Sequence, residues 1–401
     1  MPVTQEEAPI REAPHGNPSA AGAPPPLVGL SLLLVFVIGF GAIASFYLLL
    51  SVVPLYATVA GAGGIGAGFA TGALMCSTVA AELATPYMMG KFGYRTVLTA
   101  GVVLIGLPSL ALIPSSSIAA ILAICLVRGI GLGITVVVGS SLVVSFVPAE
   151  RHAEALGLYG VVVGIPAVVG LPLGVWLAIH FGFAPVFVAG AAIATATLPA
   201  VLRLPPREPD LTEPIGFLSA LRTPELNLPA LIFAGTAMAA GVVVTFLPLI
   251  VTQAAGNVAA AGLLVQAVSM TLMRGWAGRY GAGRNRALLA GSVLMTAAGI
   301  LAVAASNNAV VILVSMAVFG GGFGIAQNTS LALMFERVSK SRYDAVSALW
   351  NAAYDTGLGV GGAGFGLLAA RSGYRVALVV VAIFMIAALV PMRRLSALSI
   401  G

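Results

Sequence analysis

Three ionisable residues stand inside long apolar runs: Glu82, Arg128 and Asp355. A charge at membrane depth costs at least roughly 2.5–3.5 kcal/mol on insertion scales, so each needs a reason to be there. A carboxyl group taken out of water favours its neutral form, which suits Glu82 and Asp355 to binding and releasing a proton. An arginine keeps its proton at all physiological pH values. Arg128 is therefore suited to holding a carboxylate, or an anionic group of a substrate, and is expected to point into a central cavity. Asn351 and Asp355 are four apart and share a helix face with Gly359 and Gly362. Gln327, Asn328 and Tyr159 are further substrate-contact candidates, followed by Gln266, Tyr47 and Tyr56; hydrogen bonding between helices is the competing use for such residues. Cys76 and Cys125 lie in apolar runs with no C-x-x-C and no metal-ligand spacing. No metal and no cofactor are expected.

The elements that must position these groups follow from composition. Of 401 residues, 59% are hydrophobic and only 8% are charged, against about 25% charged in soluble domains. Mean hydropathy is +1.06. A soluble protein of this length could not cover so much apolar surface. This composition excludes a soluble enzyme, a disordered chain and a nucleic-acid-binding module. The formal charge of +6 is scattered over short loops and forms no basic patch.

A helix crosses the hydrocarbon core with about 20 apolar residues. Twelve such spans are expected near 27–53, 63–89, 96–114, 118–146, 154–180, 184–202, 227–252, 258–277, 287–305, 309–335, 344–370 and 374–392. Barrel strands would need short alternating segments instead. The fold class is thus an all-α membrane protein, twelve transmembrane helices in two six-helix pseudo-repeats. Residues 1–26, rich in Pro, Ala and Glu, are expected to form a disordered cytoplasmic tail. Residues 27–202 form the N-terminal bundle, 203–226 a cytoplasmic central loop, 227–392 the C-terminal bundle and 393–401 a second tail. With the N-terminus inside, all Lys and Arg fall in inside segments except Arg128, Arg371 and Arg375. That is the bias of a multi-pass inner-membrane protein with both termini cytoplasmic.

The halves also resemble each other. A shift of 191 residues lays Arg128–Phe183 over Phe319–Tyr374 without a gap, matching Gly129, Gly131 and Gly133 to Gly320, Gly322 and Gly324. A shift of 188 lays Gly90-Lys91-Phe92-Gly93 over Gly278-Arg279-Tyr280-Gly281. Six helices are an even number, so both copies face the same way across the membrane.

The loop after span two reads Pro86-Tyr87-Met88-Met89-Gly90-Lys91-Phe92-Gly93-Tyr94-Arg95. It is similar to the G-x-x-x-D-[RK]-x-G-[RK]-[RK] loop of major facilitator superfamily transporters, with Gly90 in place of the acid. Arg128-Gly129 with Gly131 and Gly133 in span four resembles the drug:proton antiporter branch, as does Gly164 through Gly174 in span five. The resemblance covers residues 27–394. It implies alternating access by two rocking bundles, antiport, and a conformational role for Lys91, Gly93, Arg95, Arg279 and Gly281. It also implies that spans two and eleven are neighbours, which would bring Glu82 and Asp355 together as the proton-coupling pair.

The reading is a proton-coupled secondary active transporter, exporting small organic molecules and acting as a monomer. Its partners are a small-molecule substrate, protons and the bilayer. The alternative is an uptake symporter for a small nutrient or organic anion. An intramembrane protease using Glu82 and Asp355 lacks a Gly-x-Gly-Asp setting, and the absence of G-x-x-x-x-G-K-[ST] argues against ATP hydrolysis.

Overall fold

Apolar runs in a bilayer must satisfy their own backbone groups, and a helix does this within one segment. The computed structural model describes residues 29–148, 151–205, 221–251, 256–281, 283–339 and 342–390, and they are overwhelmingly helical. The expected tails 1–26 and 393–401, and most of the central loop 203–226, lie outside these residues. Ten helical runs are long and apolar enough to cross a membrane. Two of them each contain two spans. Residues 30–92 are interrupted at Gly61 and Gly63, and Tyr343–Ala387 at Gly373, all three at positive φ. The result is twelve spans.

We number them α1 (Leu30–Leu50, prolonged by Val52–Ala57), α2 (Gly63–Phe92), α3 (Tyr94–Gly106), α4 (Ile118–Ser145), α5 (His152–Phe181) and α6 (Phe183–Thr195, then Leu198–Arg203). The second half has α7 (Pro224–Ile250), α8 (Gly256–Tyr280), α9 (Asn285–Ala305), α10 (Ala309–Phe335), α11 (343–372) and α12 (374–387). The face holding Gly93, Gly281 and Glu336 is called proximal here, and that holding Gly182 and Gly373 distal.

The repeat is visible in packing. Gly182 (φ 82°, ψ 177°) turns α5 into α6, and Gly373 (φ 77°, ψ 162°) turns α11 into α12. Only glycine enters that region without strain, and the two positions are 191 apart. A Cβ at Gly131 would lie 2.7 Å from the Gly101 carbonyl; at Gly322 it would lie 2.8 Å from that of Ser292. Those partners also differ by 191. Likewise Gly129 and Gly133 seat α4 on the α2 backbone at Leu74 and Thr78, while Gly320 and Gly324 seat α10 on α8 at Gln266 and Met270. Close glycine contacts hold helices together where lipid leaves no hydrophobic driving force.

Two seams join the halves, α2 with α11 and α5 with α8. Towards the distal face the first is tight. Gly68 lies on the Gly362 carbonyl, a Cβ at Gly72 would be 3.0 Å from that of Ala363, and one at Gly359 would be 2.7 Å from Met75. Thr71 and Thr245, on α2 and α7, share a hydrogen bond of 2.9 Å. Towards the proximal face the second seam parts. Gly157, Gly160 and Gly164 on α5 have open space where a Cβ would stand. Between Thr271 and Tyr280 on α8 only Ala277 is buried. A helix against lipid exposes one side, so accessibility all round marks a cleft between α5 and α8.

Candidate functional site

The first seam brings Glu82 and Asp355 together. α2 and α11 run antiparallel, and the glycine contacts fix their register. Glu82 lies seven residues below Met75, and Asp355 four residues before Gly359. The two carboxyl groups come within hydrogen-bonding reach of each other. Asp355 is buried and Glu82 half-buried. Among the described residues neither has a cation within ion-pair distance: the one salt bridge is Arg151–Glu154 at 3.0 Å, a surface pair on α5. Two carboxylates without a counterion repel each other strongly in a poorly solvated seam, so the arrangement is suited to holding one proton between two acids.

A second polar group lies beside the first. Tyr47 on α1 and Tyr354 on α11 lie in each other's electrostatic surroundings across the halves, together with Asp355 and Arg274. Arg274, on α8, donates from Nη1 to Gln327 Oε1 on α10 at 3.2 Å. Gln327 Nε2 points to Met270 Sδ at 3.6 Å, which sets the amide orientation. Tyr354 is held by an aromatic stack. Its ring lies 6.1 Å from Phe233 at 17°, and Phe233 lies 4.5 Å from Trp350 at 9°. The Trp350 indole N–H donates to Ser330 Oγ at 3.0 Å, fixing the far end of the stack.

Other expected residues lie elsewhere. Arg128 does not open on the cleft. It is 1% exposed, with Nε donating to the Ile105 carbonyl at 3.2 Å and Nη2 to that of Ser45 at 3.3 Å. The guanidinium thus ties α4 to α3 and α1 inside the first bundle; its depth follows from counting along the helix, but the way it faces does not. Tyr159 is likewise interior to that bundle. Its hydroxyl fills the space left by Gly39 and Gly139, and its ring stacks on Phe36 at 5.9 Å. Asn351 is half-buried one turn proximal to Asp355. Asn328 faces Gly278, its Nδ2 3.2 Å from where a Cβ would be, so it packs α10 on α8. Trp350 belongs to the stack.

The motif loop acts within one half. Gly93 has φ 74° and lets α2 turn into α3. Arg95 donates to the carbonyls of Leu202 (3.3 Å) and Leu204, and Tyr94 to that of Pro205. Lys91 lies 5.3 Å from the centre of the Phe92 ring. Its counterpart is simpler: Gly281 N–H closes α8 on the Ala277 carbonyl at 2.8 Å, and Arg279 is exposed. The resemblance implied a conformational loop, and in this structure Tyr94 and Arg95 clamp α3 to the end of α6.

Sequence reading missed Arg274. It was placed with the inside charges at the end of span eight, yet it stands six residues before the helix end at Tyr280, about 9 Å deep. The 188-residue sequence register sets Met270 over Glu82, so only the packing shows the equivalence. Leu74 and Thr78 correspond to Gln266 and Met270 in packing, and continuing that register sets Arg274 over Glu82.

Two six-helix bundles related by an internal repeat, meeting at two seams around a polar centre, define a secondary transporter rather than an enzyme. The Major Facilitator Superfamily model matches residues 35–361 and, in a second register, 230–398. The chain belongs to that superfamily and is a multi-pass membrane protein. Among solved structures it is similar to the nucleoside transporter NupG, at 13% identity and TM-score 0.70, covering 90% of this chain and 97% of that one. It is similar too to a bacterial homolog of the human lysosomal transporter Spinster in its inward-facing and occupied conformation. There the identity is 16% and the TM-score 0.70, over 90% of this chain and 94% of that one. No curated protein matches the chain.

Proposed function

We propose that this chain is a proton-coupled secondary active transporter of the inner membrane that exports small organic molecules by antiport. The observation that carries the reading is the Glu82–Asp355 pair, two acids from opposite bundles facing each other without a counterion. When one proton is shared the seam between α2 and α11 can stay closed. When it is lost the carboxylates repel and favour an arrangement that separates them, and differential proton affinity of two states is what couples a gradient to a rocking motion.

The charge bias supports cytoplasmic termini, making the proximal cleft inward-facing. The antiporter reading rests on the motif resemblance in spans four and five. Neighbours with 13–16% identity share the fold, and their names, a nucleoside transporter and a bacterial homolog of a lysosomal transporter, assign no substrate here. Uptake by symport uses the same acid pair in the opposite sense; Arg274, a cation in the cleft, favours an organic anion for that reading. Vesicles carrying the protein, screened against metabolites and drugs with and without an imposed pH gradient, test both. Accumulation that follows the gradient supports proton coupling, and its direction separates export from uptake. Transport indifferent to the gradient refutes the coupling.

A further inference from the structure

The central polar group carries one full positive charge that no acid among the described residues neutralises. Arg274 is accessible although it stands inside the bundle, on a stretch of α8 exposed on almost every side. Its one direct hydrogen bond is to a neutral amide, Gln327 Oε1 at 3.2 Å. No acid among the described residues lies within ion-pair distance of it. The phenols of Tyr47 and Tyr354 complete its surroundings. Arg128, the other arginine at depth, differs in each respect: it is 1% exposed and bound to two backbone carbonyls. A cation at membrane depth is ordinarily paired. One left facing a cleft, with phenol donors beside it, is a receptor for an anion.

Charge and geometry narrow the class. A single guanidinium offers two parallel N–H donors, which fit a carboxylate in bidentate fashion. Two tyrosine hydroxyls can donate further bonds to the same group. A dianionic phosphate would bring twice the charge to a site with one cation. Asp355 stands in the electrostatic surroundings of both tyrosines and would repel that second charge. The body of the ligand meets few other polar groups, since α5 opposite offers Gly157, Gly160 and Gly164 with open space around them.

We propose that Arg274, with Gln327, Tyr47 and Tyr354, forms the binding site for the carboxylate of a small organic monoacid, the transported substrate. This rests on the transport reading above and names its substrate class. Tyr47 and Tyr354 have both Asp355 and Arg274 in their electrostatic surroundings, so a carboxylate taking their hydroxyls alters the surroundings of Asp355. Substrate and proton sites then communicate through one pair of phenols. The pseudo-symmetry adds a reason for the placement: Arg274 and Glu82 occupy equivalent positions in the two halves, one serving substrate and the other the proton.

The test is binding to purified protein without any gradient, so that failure of proton coupling and failure of this site are separate results. Thermal unfolding is followed with matched pairs, benzoate and benzamide, phenylacetate and phenylacetamide, octanoate and octanamide. At least one carboxylate is expected to raise the unfolding temperature where its amide does not. Arg274→Gln is expected to weaken that binding about ten- to hundredfold, as loss of a charge-assisted hydrogen bond does. Arg274→Lys, which keeps the charge but not the fork, should fall between. Monodisperse Arg274→Gln on gel filtration separates loss of binding from misfolding; if it is not monodisperse, Arg274→Lys and the wild-type pairs decide. Stabilisation by no carboxylate, equal effects of acid and amide, or unchanged affinity in the Arg274 variants would overturn the proposal.

Discussion

Gly68 on α2 lies directly on the backbone carbonyl of Gly362 on α11, so the two bundles touch main chain to main chain near the distal face. Gly72 with Ala363, and Gly359 with Met75, continue the contact one helix turn at a time towards Glu82 and Asp355. The acid pair therefore sits at the end of a close-packed seam, where a small change in repulsion acts on a rigid contact.

Gly68→Val should prevent that seam from closing, because the added carbons have backbone, and no flexible side chain, in their way. Transport should be lost while the protein still inserts. Cysteines placed at Thr71 and Thr245, on the distal side of the seam, should cross-link readily in the parent sequence and poorly with Gly68→Val. Equal cross-linking in both would show that the contact is not needed for closure.

Arg128→Ala should act on stability. It removes a buried side chain and the bonds tying α4 to Ile105 and Ser45, and hydrogen bonds from charged groups contribute about 1.5–3 kcal/mol each. Thermal unfolding in detergent should fall by several degrees, whereas substrate affinity of the folded fraction should stay near the parent value. A large loss of affinity with unchanged stability would return Arg128 to the binding site.

The repeat predicts paired effects. Gly129→Ala and Gly320→Ala both push a methyl group into backbone, at Leu74 and at Gln266. Overpacking of this kind costs about 1–3 kcal/mol, and unfolding measurements should give similar losses for the two. A cost at one position and none at the other would mean that the halves are not packed alike.

Much of this was legible in the sequence, for physical reasons. Span number follows from bilayer thickness, and the turns at Gly182 and Gly373 keep the 191-residue register. The encounter of Glu82 and Asp355 was foreseen because α2 and α11 were expected to be neighbours, and depth along each helix could be counted. The direction in which a side chain points was not legible. Arg128 and Arg274 are each an arginine in an apolar helix followed by glycine. One turns into its own bundle because the carbonyls of Ser45 and Ile105 receive it, the other towards the cleft. Tyr47 and Tyr354 met only once two helices from different halves were in place, and Tyr159 was expected at the centre but fills the gap above Gly39 and Gly139.

The central claim is that Glu82 and Asp355 carry the coupled proton. The direct measurement compares Glu82→Gln and Asp355→Asn with the parent protein in vesicles, reading gradient-driven accumulation and passive exchange of the same substrate. Asp355→Asn should abolish accumulation, down to the level reached without a gradient, while exchange continues, and Glu82→Gln should weaken accumulation in the same way. If both variants concentrate substrate as well as the parent does, the acid pair is not the coupling site.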